Sequence, residues 1–236
     1  MYSYIARRLA FGALTVTMKL FPLIVTLHLL GGLILLALLR AQSQRFARAA
    51  GELKVVGVSP LTWLLLLTTF GLLWFQLALG GWVSTNYAVL ACTEFPMCQG
   101  SWWPAMDFAT GFQWWRELGM DRSGAAIPFA ALTAIHMAHR LFAVLVILAL
   151  GWAAWRLARA DEALRPQARW LALGAAWQLG SGLSNVVLDW PLLAAVLHTG
   201  GAAALVVVLT WALVSSRAVS APQEFSAPSG ASRVSA

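Results

Sequence analysis

Apolar residues gather along this chain into runs long enough to cross a bilayer, with short polar stretches between them. Five runs approach or exceed the ~20 apolar residues that a spanning helix needs. They cover 20–39, 58–83, 127–155, 170–188 and 190–214. A sixth, 9–19, is apolar but short, since ~10 residues span only about half of the hydrocarbon core. Only Asp189-Trp190-Pro191 separates the last two runs, which predicts a tight turn. The stretch 84–126 contains no such run and predicts a loop outside the membrane, with an amphipathic segment near 108–119. The pattern predicts an all-α membrane protein with five full spanning helices behind a shortened first one.

Composition supports this. The chain is 60% hydrophobic and 11% charged, far from the balance of a soluble domain. Its net charge of +7 is unevenly placed: Arg40, Arg45, Arg48 and Lys54 fill one connection, and Arg156, Arg159, Arg165 and Arg169 fill another. Basic connections stay cytoplasmic. Residues 40–56, 156–169 and the C-terminal tail are therefore expected inside. The loop 84–126 mixes Glu94, Asp107, Glu117 and Asp121 with Arg116 and Arg122, and it is expected outside with the Asp189 turn. The basic charge orients the chain in membrane lipid and implies no nucleic-acid partner. The N-terminus lacks an apolar core followed by a small-residue cleavage site, so no cleavable signal peptide is expected. The Ser/Ala/Pro-rich stretch 215–236 is expected to be a disordered cytoplasmic tail.

An internal echo organises the spans. Pro22-Leu-Ile-Val-Thr-Leu-His28-Leu-Leu-Gly31-Gly32 resembles Pro191-Leu-Leu-Ala-Ala-Val-Leu-His198-Thr-Gly200-Gly201. The likeness reaches back through Gly12–Pro22 and Gly182–Pro191. Weak internal symmetry of this kind marks repeated units in membrane proteins. Residues 58–214 then form one complete four-helix repeat: helix, long loop, helix, helix, tight turn, helix. Residues 1–39 match only the last two helices of such a unit. The expected architecture is a helical bundle with one complete four-helix repeat and a truncated preceding repeat, a remnant of an N-terminal half-bundle.

All four histidines (His28, His136, His139, His198) lie inside apolar runs, where an ionisable ring is costly and points to function. At ~1.5 Å per residue, His139 lies roughly 18 Å, His198 roughly 12 Å and His28 roughly 9 Å from the outer surface. Histidines on different helices at similar depth can face each other across a haem, for which imidazole is the usual axial ligand. The plainer alternative is a histidine that hydrogen-bonds a neighbouring helix. His136 and His139 share a helix face, so only one is expected to ligate a given iron. Arg140 suits a haem propionate, or else a structural ion pair or a carbonyl cap. Cys92 and Cys98 are the only cysteines. Two residues are too few for a zinc site, which leaves a disulfide staple, a redox-active pair or free thiols. Their closeness and outer position favour the disulfide. Trp102, Trp103, Trp114 and Trp115 predict a loop folded onto the membrane interface as a lid. There is no P-loop, no dinucleotide fingerprint, no HExxH and no serine nucleophile elbow.

Several phrases together resemble the heme A synthase family of bacterial inner membranes: Gly80-Gly-Trp-Val-Ser-Thr-Asn86, Leu90-Ala-Cys92-Thr-Glu-Phe-Pro-Met-Cys98-Gln-Gly100, Trp103-Pro104, Ala134-Ile-His-Met-Ala-His139-Arg140 and Val25-Thr-Leu-His28-Leu-Leu-Gly-Gly32. The likeness runs from about residue 10 to 214. It implies an oxidoreductase of haem A biosynthesis, which converts the C8 methyl of haem O to a formyl group for cytochrome oxidase. It also implies a haem b in the C-terminal half, with His139 and His198 as ligands to the haem iron and Arg140 near a propionate. His28 is implied as the surviving histidine of the substrate-haem side, in a catalytic role. Haem O, a haem O synthase, membrane lipid, and either a second copy or the missing N-terminal half are the implied partners. Thr93-Glu94 stands where the family often has Pro-Asp, and the first HR motif with its cysteine loop has no counterpart. The competing expectations are a non-catalytic haem b module for electron transfer or haem handling, and a scaffold whose histidines are only structural.

Overall fold

The computed structural model describes residues 21–53 and 55–219. The short apolar run 9–19 and most of the tail lie outside the described residues. The helices are α1 (Pro22–Ala49), α2 (Pro60–Thr85), the single turn α3 (Phe108–Gly111), α4 (Phe129–Ala160), α5 (Arg165–Val187) and α6 (Leu192–Ser215). Each long helix begins at or beside a proline: Pro22, Pro60, Pro128, Pro166 and Pro191. Proline is preorganised for the first turn, where its missing N–H would bond nothing. Ser59 caps α2 by accepting from Thr62 N at 3.3 Å.

The chain is an all-α multi-pass membrane protein. Among the described residues α1, α2, α4 and α6 are long and apolar enough to cross a bilayer. The expectation of five apolar spans is met by five long helices, but α5 falls short in composition because Gln178, Ser181, Ser184 and Asn185 dilute it. The basic connections are also shorter than expected. α1 continues through Arg40, Arg45 and Arg48 and stops before Gly51, whose φ of +76° suits a residue without a Cβ. Only Asp161–Leu164 separates α4 from α5.

α2, α4, α5 and α6 pack in a ring, each against the next, with α6 returning to α2; α1 lies along the α2–α6 edge. α4 and α6 are thus diagonal. The dry core occupies the basic end of the ring. It includes Leu66, Leu150, Leu157, Leu171, Val206 and Leu209. Arg48 donates to the Val214 carbonyl, and the Arg40 guanidinium lies 5.1 Å from the Trp211 ring centroid, so α1 is fastened to α6. Arg156 donates to Thr62 Oγ1 and Ser59 Oγ, which joins α4 to the start of α2. A short parallel pair, β1 (Val56–Val58) with β2 (Ser216–Ala218), closes this end. No apolar run had signalled these strands.

The loop between α2 and α4 folds down on the opposite end. Trp82 Nε1 donates to the Gly111 carbonyl at 2.9 Å. Arg116, 2% exposed, donates to Asn86 Oδ1 and the Met120 carbonyl. Loss of hydration holds the Arg116 pKa below its usual value, with Asp121 opposing the shift. Ser123 donates to the Asp121 carboxylate and lowers its pKa. The expected amphipathic segment at 108–119 shrinks to the one turn of α3. Gly111 presses so close to α4 that a Cβ there would lie 2.7 Å from the Ala131 carbonyl. Trp102, Trp103, Trp114 and Trp115 are exposed.

Gly111→Val should prise the loop from α4. Overpacking of this kind costs about 1–3 kcal/mol. Limited proteolysis of detergent-solubilised protein should show faster cleavage within 86–128 than in the parent, with the helices still resistant.

Candidate functional site

Between the dry core and the loop end lies a layer in which no side chain is fully buried. It covers 74–76 of α2, 138–145 of α4, 176–184 of α5 and 192–204 of α6. At this level the bundle's side chains are only partly covered, in contrast to the close-packed core beside it. His139 and His198 stand in this layer, on the diagonal helices α4 and α6.

Each histidine is held by the helix that precedes its own, and in the same way. Gln76 of α2 donates its amide N–H to the His139 carbonyl at 3.2 Å, and Gln178 of α5 donates to the His198 carbonyl at 2.9 Å. Four residues after each glutamine comes a glycine on which the ring rests. A Cβ at Gly80 would meet His139 Cε1 at 3.2 Å, and a Cβ at Gly182 would meet His198 Cε1 at 3.3 Å. The Nδ1 atoms are engaged as well: His139 Nδ1 lies 3.0 Å from Gln76 Nε2, and His198 Nδ1 lies 2.8 Å from Ser181 Oγ. The glutamine–glycine pairs were not singled out in the sequence. The signal was there, in Gln76-Leu-Ala-Leu-Gly80 and Gln178-Leu-Gly-Ser-Gly182.

The paired glycines divide their work. Gly80 seats His139, while a Cβ at Gly81 would meet Thr26 Cγ2 of α1 at 2.9 Å. Gly200 faces open space, whereas Gly201 packs against Trp177 and Gln178 of α5. Gly200, two residues on from His198, opens another face of α6, so the paired glycines do not supply the room expected beside His198. His28 is exposed on α1. Thr26, two residues earlier, makes the contact with α2, so His28 is turned to another face and does not join His139 and His198.

His136 is buried and lies outside the interrupted layer, one turn before Arg140. Its Nε2 accepts from Arg140 Nε at 3.2 Å. Arg140 also donates to the carbonyls of Met97 at 3.2 Å and Cys92 at 3.1 Å, the carbonyl-capping alternative. Cys92 and Cys98 are joined as a disulfide, packed on Met137 of α4. Gln99 adds a bond from the same loop to Thr133 Oγ1 at 2.8 Å. The loop and the histidine helix are thus one connected unit: Arg140 is adjacent to His139 and grips the backbone at both ends of the disulfide segment.

Chemically, the layer offers two imidazoles on opposite walls. No three His, Cys, Asp or Glu side chains cluster among the described residues, so a bare ion would lack ligands. A flat macrocycle that brings its own equatorial nitrogens needs only two axial imidazoles.

Arg140→Leu should free the loop from α4 without touching the imidazoles of the layer. Lost bonds to a charged donor are worth about 1.5–3 kcal/mol. The expected outcome is a lower thermal unfolding midpoint in detergent, with faster reduction of Cys92–Cys98 by a mild thiol.

The family model described as COX15-CtaA, cytochrome oxidase assembly protein, matches residues 7–210. A curated protein named Heme A synthase, from Shewanella oneidensis, is 37% identical over 205 residues, which cover 85% of this chain and 60% of the relative. The chain therefore spans about 60% of the length of the relative it matches. No solved structure matches it.

Proposed function

The chain belongs to the COX15-CtaA family of cytochrome oxidase assembly proteins, and on that footing we propose that it is the haem b-holding part of an oxidoreductase that converts haem O to haem A. The observation that carries the reading is the pair of glycine-seated imidazoles on diagonal helices, in a layer where the core is interrupted. His139 and His198 would hold the iron. A bound haem b supplies a one-electron carrier inside the membrane. The protein's own part is to fix both rings through Gln76, Gln178 and Ser181, and to keep water out with the apolar core on one side and the docked loop on the other.

Residues 58–214 serve in this proposal as the haem-binding four-helix half. His28, exposed on α1, belongs to the substrate-haem side. The basic ends of the helices face the cytoplasm of a bacterial inner membrane, and the loop 84–126 faces the periplasm, where the disulfide persists. Haem O, with a haem O synthase as its source, is the proposed substrate partner. Arg140, already bound to two carbonyls and His136, meets a propionate only through a guanidinium edge that those bonds leave open.

Histidine substitutions test the haem. His139→Ala and His198→Ala should each abolish the low-spin absorption of the purified protein. His28→Ala and His136→Ala should largely keep it. Retention of the low-spin signal in both His139→Ala and His198→Ala overturns the ligand pair. Extracted haem from a host lacking its own enzyme decides between haem A formation and haem b binding alone.

Orientation is tested separately. With the native cysteines replaced, single cysteines at positions 100–120 should react with an impermeant maleimide added to whole spheroplasts. Those at 40–56 should react only after the membrane is opened. The reverse pattern overturns the orientation.

A further inference from the structure

Thr133, His136, Met137 and Arg140 lie three or four residues apart and form one stripe along α4. Three of them meet the outer loop directly. Thr133 Oγ1 accepts from Gln99, Met137 packs on the disulfide, and Arg140 donates to the carbonyls of Cys92 and Met97. His136 makes no hydrogen bond to the loop among the described residues. Its side chain has one partner, Arg140, whose Nε–H it accepts at Nε2 over 3.2 Å. A guanidinium N–H can only donate. Nε2 therefore carries a lone pair, the ring is neutral, and its proton sits on Nδ1. Turning the ring over would bring Cε1 to Arg140, and a carbon cannot accept. His136 is 3% exposed, and its Nδ1 has no partner among the described residues. A buried N–H without an acceptor is expensive. Leucine at 136 would avoid that cost, but it would not supply the lone pair that Arg140 uses.

That lone pair decides where the guanidinium points. All three nitrogens of Arg140 are engaged: Nε on His136, Nη1 on Met97 and Nη2 on Cys92. The guanidinium is planar and rigid, so fixing Nε–H fixes the directions of both Nη groups. The two carbonyls it reaches belong to Cys92 and to the residue just before Cys98. While the sulfurs are joined, the ends of the segment stay together, with the Cα atoms of Cys92 and Cys98 4.8 Å apart, and one guanidinium spans both. Once the sulfurs part, the ends are free to separate, and Arg140 can no longer hold both carbonyls. Coupling of this kind is reciprocal. Whatever aims Arg140 at the two carbonyls also favours the disulfide over the two thiols.

We propose that His136 is a positioning residue which, as a neutral imidazole protonated at Nδ1, aims Arg140 at Cys92 and Met97 and so holds the Cys92–Cys98 segment oxidised and docked on α4. The reduction it opposes is a plain thiol exchange. A dithiol gives two electrons and two protons, the bond between the sulfurs breaks, Cys92 and Cys98 become thiols, and the dithiol closes to its own disulfide. The proposal belongs to the protein alone and does not rest on the haem reading.

The ring proton is read from imidazole nitrogen-15 shifts of labelled protein, with the His136 signals assigned by their loss in His136→Gln. His136 should be the Nδ1–H form. The Nε2–H form or a doubly protonated ring overturns the proposal. When both cysteines are replaced by serine, the His136 shifts should move toward an average of the two tautomers as Arg140 loosens, and unmoved shifts overturn it. The coupling is read by equilibrating purified protein with graded ratios of reduced to oxidised dithiothreitol, then counting Cys92 and Cys98 thiols by alkylation and mass spectrometry. His136→Leu should shift the equilibrium about tenfold toward the thiols, the worth of one hydrogen bond from a charged donor. His136→Gln, which returns an acceptor oxygen, should restore most of it. Arg140→Leu should shift it at least as far, and His136→Leu added to Arg140→Leu should change nothing further. Full additivity of the two substitutions shows that His136 only fills space, and the proposal falls. An unshifted equilibrium in His136→Leu overturns it equally. Should His136→Leu fail to fold, the nitrogen shifts of the parent and of the serine variant still decide.

Discussion

In a lipid bilayer no water is available to a polar atom, so each one placed there needs a partner within the protein. The histidine layer follows from this requirement. The His139 carbonyl on α4 accepts an amide N–H from Gln76 on α2, the His198 carbonyl on α6 accepts one from Gln178 on α5, and Ser181 of α5 meets the His198 ring. Those amides in turn fix how the helices face one another, because each spans from side chain to backbone and tolerates little rotation. The glycines complete the constraint: the ring and the glutamine arrive on one face only if the residue a helical turn later leaves space for it.

The two ends of the bundle obey different rules as a result. At the basic end, leucine, valine and alanine side chains interlock, and the arginines serve as fasteners between helix ends. At the loop end a smaller apolar cluster around Trp82, Val89 and Ile135 is joined by directional bonds, such as Trp82 to Gly111 and Arg116 to Asn86. Apolar packing gives rigidity without specificity, and directional bonds give specificity at a few points. The histidine layer sits where the first regime gives way to the second.

The fold was largely legible in hydropathy, because length and apolarity are what the bilayer selects. The four most apolar runs became α1, α2, α4 and α6, and the prolines at their starts were visible. The run 170–188 was read by its apolar residues, and its polar side chains, which define α5's role, were passed over. Of the amphipathic segment expected near 108–119 only Phe108–Gly111 is helical, and a pattern in the sequence carries no information about the Ala131 carbonyl against which Gly111 packs. His139 and His198 were legible because histidine is rare in such runs. Gln76 and Gln178 were not, because glutamine attracts no notice until a spacing to glycine and a facing histidine give it meaning. Arg140 could be read as a propionate partner or a carbonyl cap, and only its geometry against Cys92 and Met97 shows what it grips.

The parallel pair of β1 and β2 has a bearing on how the protein is made. Val56–Val58 precedes α2, and Ser216–Ala218 follows α6, so this clasp joins chain synthesised early to chain synthesised late. The contacts of α1 with α6 have the same character. Until α6 leaves the ribosome and enters the membrane, α1 has only α2 as a packing neighbour among the described residues, and the strand at 56–58 lacks β2. Closure of the ring is therefore the last event of assembly, and the nascent chain must be carried to that point with an open seam. A break in translation before residue 216 leaves behind a bundle without its clasp, a natural substrate for membrane quality control.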